Sequence, residues 1–78
     1  AQDGTVVGNT IATSGSEGIG CGNSAVIGNT ITDNGGYGLS FWTIGAYGNN
    51  IITGNTVGTV SAGTPMGINL CNGSTTCP

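Results

Sequence analysis

The sequence contains no lysine, arginine or histidine, and its only charged residues are Asp3, Glu17 and Asp33. Charged residues make up 4% of the chain, against about 25% in average usage, so the deficit is a compositional bias. Nucleic acid and anionic membrane surfaces are bound through Lys and Arg that neutralise phosphates, and with none present no nucleic-acid partner is expected. No run approaches the ~20 consecutive apolar residues of a spanning helix, so membrane insertion is not expected. A histidine general base is missing, as is any side-chain cation to meet developing negative charge. The three carboxylates are scattered, whereas paired-acid chemistry needs them gathered on one face. The chain therefore reads as a non-enzyme with no cofactor and no metal site.

Disorder is not implied by this poverty of charge. It goes with low hydrophobicity and high net charge, and here apolar residues reach 36% while the net charge is only −3. Neither a signal peptide nor an initiator Met stands before Ala1, so the chain reads as a processed or excised piece. Three cysteines in a short Gly/Thr/Asn-rich chain fit an oxidising, extracellular setting and a secreted protein. The 78 residues bound a single domain, 1–78, near the size at which a core needs staples or oligomerisation.

What the chain has in abundance is glycine, asparagine and threonine, arranged around a recurring phrase. Val7-Gly8-Asn9-Thr10-Ile11 returns as Ile27-Gly28-Asn29-Thr30-Ile31 and again as Thr53-Gly54-Asn55-Thr56-Val57. Glu17-Gly18-Ile19 likewise matches Tyr37-Gly38-Leu39. Each repeat supplies three strand-length apolar pieces separated by Asn/Gly corners, with no helical period, which predicts an all-β solenoid of about three coils. Aligned on the phrase, the coils run about 3–22, 23–48 and 49–70, with a tail over 71–78. The second coil then carries six extra residues between Leu39 and Tyr47. Val6, Val26, Ile52, Ile11, Ile31, Val57, Ile19 and Leu39 are the expected core. Asn9, Asn29 and Asn55 are expected to stack about 4.8 Å apart as an internal ladder, since Asn tolerates a left-handed corner and carries both donor and acceptor.

The Gly-Asn-Thr-Ile phrase, followed by the Asn34-Gly35 turn and the Gly38-Leu39 pair, resembles the right-handed parallel β-helix repeat family. That family includes pectate-lyase-like enzymes, phage tailspikes and periplasmic copper-site-loading proteins. The resemblance covers about residues 3–60, and the stretch from Gly63 to Pro78 resembles the C-terminal ending of secreted members. It implies the right-handed parallel β-helix fold and is silent on activity, because fold and function are separable.

Further features carry more than one reading. Phe41, Trp42 and Tyr47 cluster at the expected bulge, where they either pack on their own coil or form a lateral interface. Cys71 and Cys77 read as a clip on the tail. Cys21 is left over: either a buried free thiol, or, two rungs from the tail and out of its intrachain reach, a disulfide candidate across a subunit boundary. Gly35 to Ser40 echoes a calcium-binding nonapeptide, but the position that needs Asp is Ser40. Thr10, Thr30 and Thr56 are expected in one column, the pattern an ice-binding face would use. Asn72-Gly73-Ser74 is the one glycosylation sequon.

Unpaired strand edges are templates for further strands, and a head-to-tail contact that does not close produces a filament. The expected function is therefore structural: a self-assembling extracellular fibre subunit whose partner is itself. The alternative is the C-terminal part of a larger carbohydrate-binding or carbohydrate-cleaving β-helix, with carbohydrate as partner, and ice binding is the third reading.

Overall fold

The computed structural model describes residues 4–77 as a parallel β-solenoid, with no helix among them. The first coil consists of β1 (Thr5–Val7), β2 (Thr10–Ala12) and β3 (Ile19–Cys21). The second is β4 (Ser24–Ile27), β5 (Thr30–Thr32) and β6 (Tyr37–Phe41), and the third β7 (Gly45–Gly48), β8 (Ile51–Thr53) and β9 (Gly58–Ser61). A partial fourth follows with β10 (Thr64–Pro65) and β11 (Leu70–Cys71). Three parallel sheets result, ordered β1-β4-β7-β10, β2-β5-β8-β11 and β3-β6-β9. We name the β1–β3 end upper and the opposite end lower. Strands this short form because β-branched residues alternate with small or polar ones and a corner interrupts every few residues.

The inward columns are Val6, Val26 and Tyr47 in the first sheet; Ile11, Ile31, Ile52 and Cys71 in the second; and Ile19, Leu39 and Val60 in the third. Val26, Ile31, Leu39 and Ile52 are wholly buried. Cys21 and Phe41 also join this core.

The third coil lies differently from its expected alignment. Tyr47, not Ile52, continues the Val6–Val26 column, and Ile52 stacks on Ile31. Val57 is not core but 59% exposed. Ser24 pairs with Gly45 and Cys21 with Phe41, so the supposed six-residue bulge shrinks to one extra residue among 42–44. The third coil accordingly begins at β7, and Cys71 belongs to β11 instead of opening a tail. The threonine column is broken as well: Thr10 and Thr30 are continued by Ile51 and Leu70, while Thr56 lies elsewhere. Asp3 and Pro78 lie outside the described residues.

A single physical cause explains the misalignment. Two of the corners share one recurring pattern, a residue at positive φ followed by an Asn that turns its amide inward, with Ser14 in place of Asn after Thr13 and Ile68 before Asn69 as the departures. Gly8 and Gly28 (both φ 67°) meet it at the first corner, and Gly54 (φ 69°) meets it at the second. At the first corner of the third coil Asn49 (φ 55°) stands in for glycine, as Asn can at modest steric penalty. The phrase at 53–57 thus matches in chemistry but sits one corner later.

Candidate functional site

Two asparagine ladders run up the inside of the stack. At the first corner the rungs are Asn9, Asn29, Asn50 and Asn69, spaced by 20, 21 and 19 residues. Asn9, Asn29 and Asn50 each donate backbone N–H and Nδ2 to the Oδ1 of the rung below, and the lowest rung, Asn69, donates Nδ2 to Tyr47 O at 3.3 Å. For Asn29 onto Asn50 these bonds measure 3.0 and 3.1 Å, and for Asn50 onto Asn69 3.0 and 2.9 Å. The second Nδ2 hydrogen reaches a strand carbonyl, Val6 from Asn29 at 2.9 Å and Val26 from Asn50 at 3.0 Å. At the second corner Asn34 donates to Asn55 Oδ1 at 3.0 Å from its backbone and 2.8 Å from Nδ2, and Ser14 N–H donates to Asn34 Oδ1 at 2.9 Å. Of the expected ladder, Asn9 and Asn29 therefore share a column, and Asn55 belongs to the neighbouring one. Asn34, Asn50 and Asn69 were missed. The signal for Asn50 and Asn69 was present in the near-constant spacing from Asn29, which the phrase at 53–57 overrode.

The ladder is directional, so its two ends differ. At the top, Asn9 is exposed and its Oδ1 accepts no bond among the described residues. Thr30, Ile51 and Leu70 each donate N–H upward at 2.8 Å, to the carbonyls of Asn9, Asn29 and Asn50. The equivalent N–H of Thr10 points up from β2, the outer strand of its sheet. Val6 and Ile11, at the tops of two core columns, are only partly covered, while Val26 and Ile31 beneath them are sealed.

At the lower end the chain itself blunts the edges of two of the three sheets, while β9 remains the outer strand of the third. Pro65 in β10 has no N–H to offer. Cys71 donates to Ser74 O at 2.7 Å and accepts from Ser74 N at 3.0 Å, so the tail occupies the edge of β11. Cys77 is disulfide-bonded to Cys71 and packs against the core cluster from below. A small cavity of about 290 Å³ remains beside it, lined by Pro65, Gly67, Asn69, Thr75, Thr76 and Cys77.

None of the family models, curated proteins or solved structures compared with this chain matches it. What the site can do thus has to be read from its own chemistry.

The aromatic cluster separates in space. Phe41 and Tyr47 are not at a lateral surface: they are 5% and 2% exposed and stack on each other with ring centroids 6.0 Å apart. The Phe41 ring fills the space that a Cβ on Gly45 or Gly63 would need, so both positions must stay bare. Trp42 alone faces outward, 59% exposed, its indole lying over Gly20 and Gly22.

Cys21 is a free, fully buried thiol, and burial pushes its pKa up, as it does for the Tyr47 hydroxyl. A thiol kept protonated and enclosed is a poor nucleophile. The Cys71–Cys77 bridge fits an oxidising compartment. Among the described residues no group of three or more His, Cys, Asp or Glu gathers to hold a metal. Glu17 accepts from Ser16 Oγ at 3.2 Å, and Asp33 packs over Gly54 at the second corner.

Proposed function

We propose that the chain is a structural, secreted module that stacks on another parallel β-coil through its upper end and terminates the stack with its lower end. The observation that carries this reading is the inequality of the two ends. Above, Asn9 presents an acceptor and Thr10 an N–H that no described residue fills, and Val6 and Ile11 present half-covered apolar columns. Below, the disulfide-held tail covers the edge of β11 and Pro65 removes an N–H from β10, leaving only β9 of the three edges open. A partner coil would place its own first-corner Asn above Asn9 and donate two hydrogens to it. It would also bury Val6 and Ile11, whose apolar surface contributes at about 25 cal/mol per Å² removed from water.

An open-ended fibre needs both faces to pair, and the blunting of two of the three lower sheet edges argues for one-ended stacking in its place. The Gly-Asn-Thr-Ile phrase supports kinship with secreted right-handed parallel β-helix proteins. A coil above β1–β3 is also what a longer carbohydrate-binding or carbohydrate-cleaving solenoid would supply.

Adding coils tests the reading. One variant carries a duplicate of residues 4–23 ahead of Gly4, which preserves the 20-residue rung spacing; a second carries the same coil after Cys77. The upper addition is expected to raise the melting temperature and to slow amide exchange at Thr10. Equal stabilisation from the lower addition, or unchanged exchange at Thr10, would refute the proposal.

A further inference from the structure

The chain contains Asn-Gly twice, at Asn34-Gly35 and at Asn72-Gly73, and the fold treats the two pairs in opposite ways. Asn34 is 1% exposed, its Oδ1 accepts from Ser14 N and its Nδ2 donates to Asn55. The following Gly35 N–H donates to Ser14 O at 2.8 Å. The Asn34 amide is enclosed and bonded, and although Gly35 is itself exposed its N–H is held by Ser14 O. Asn72 is exposed, in the turn that links Cys71 to Ser74. Its Oδ1 accepts from Gly54 N–H at 3.1 Å, while its Nδ2 and the Gly73 N–H have no partner among the described residues.

From this contrast we infer that Asn72 is a self-modifying site, at which the backbone of Gly73 displaces the side-chain amide, whereas Asn34 is protected. The Gly73 nitrogen gives up its proton to solvent base and attacks Asn72 Cγ. A new C–N bond closes a five-membered succinimide, and the Cγ–Nδ2 bond breaks, Nδ2 leaving as ammonia with a proton from water. Water then opens the ring at one carbonyl or the other, giving aspartate or isoaspartate. Glycine favours the attack because no side chain shields its nitrogen. The Gly54 N–H points at the oxygen on which charge develops, the position of an oxyanion donor.

The product matters to the lower end. Either acid adds a negative charge to a chain of net charge −3. Isoaspartate also lengthens the backbone between Cys71 and Ser74, whose reciprocal bonds of 2.7 and 3.0 Å hold the tail in place.

The test uses the intact, oxidised protein from a bacterial host, where Asn72 stays unglycosylated, incubated at neutral and at mildly alkaline pH. Peptide mapping by mass spectrometry and enzymatic isoaspartate methylation follow both sites, with a urea-unfolded control. In the native protein, modification at Asn72 should outpace that at Asn34 by more than about ten-fold, because Asn34 reacts only through local opening. The Asn72 rate should rise with pH, and the two sites should converge in urea. Asn72→Gln should remove the signal without exposing Asn34. Native rates that are equal, or an Asn72 that is inert when folded yet reactive in urea, would overturn the inference.

Discussion

An asparagine side chain offers one acceptor oxygen and two donor hydrogens, and in Asn29 all of them are used. Replacing it with alanine leaves Asn50 Oδ1 with the backbone donor alone, takes a donor from Val6 O, and removes the acceptor shared by Asn9 N–H and Nδ2. Each buried group so orphaned costs about 1–3 kcal/mol. Asn29→Ala is therefore expected to lose at least ~3 kcal/mol, a large part of the stability of so small a domain. Asn9→Ala keeps its backbone donor and sits in solvent, so its loss should stay within about 1 kcal/mol. Urea denaturation of both variants measures the difference. The same experiment separates the two registers of the third coil. Tyr47→Ala empties a buried aromatic site and should cost about 3–5 kcal/mol, whereas exposed Val57→Thr should stay within about 0.5 kcal/mol. The opposite order would restore the register in which Val57 faces inward.

At the scale of the element, the strands and corners were largely legible. The pairs Val6–Val26, Ile11–Ile31 and Ile19–Leu39 follow directly from matching the first two coils. The third coil was not legible, because its first corner is built as Asn49-Asn50 while the familiar Gly-Asn-Thr phrase occupies the second. Local chemistry defines a kind of corner without saying which one, and only the spacing of the Asn rungs decides. For the aromatic residues the sequence left packing on their own coil and a lateral interface both open, and Phe41 and Tyr47 take the first. What decides between the two readings for Phe41 is the pair of glycines that make room for its ring, Gly45 and Gly63, brought around it by the third turn. The tail was read correctly as a clip between Cys71 and Cys77, but its role in covering the lower face depends on a bridge to Ser74 that no pattern announces. Cys77→Ser should lower stability by about 2 kcal/mol in the chain-entropy account of a loop this short. It should also speed amide exchange at Cys71 as the Ser74 contact frees, with scanning calorimetry and exchange mass spectrometry as the readouts.

Over the whole molecule, the extents are 26 × 25 × 20 Å, so the two ends form a large share of the surface. In a body of that shape, end chemistry governs association. A lone chain with one pairing-competent end should form at most small discrete assemblies in sedimentation velocity. Thr10→Pro should abolish even these, since it removes an upward N–H that no described strand uses, while circular dichroism stays unchanged. Long fibres in electron micrographs of the oxidised protein would instead show that the lower end pairs as well.

The one-way wiring of the first-corner asparagines makes the height of the column adjustable. Asn29 and Asn50 receive and donate in the same sense, so a duplicate of residues 30–50 spliced in after Asn50 would present the incoming turn with the sockets it expects. The scaffold can then be lengthened in whole storeys of about 4.8 Å without redesigning either terminus.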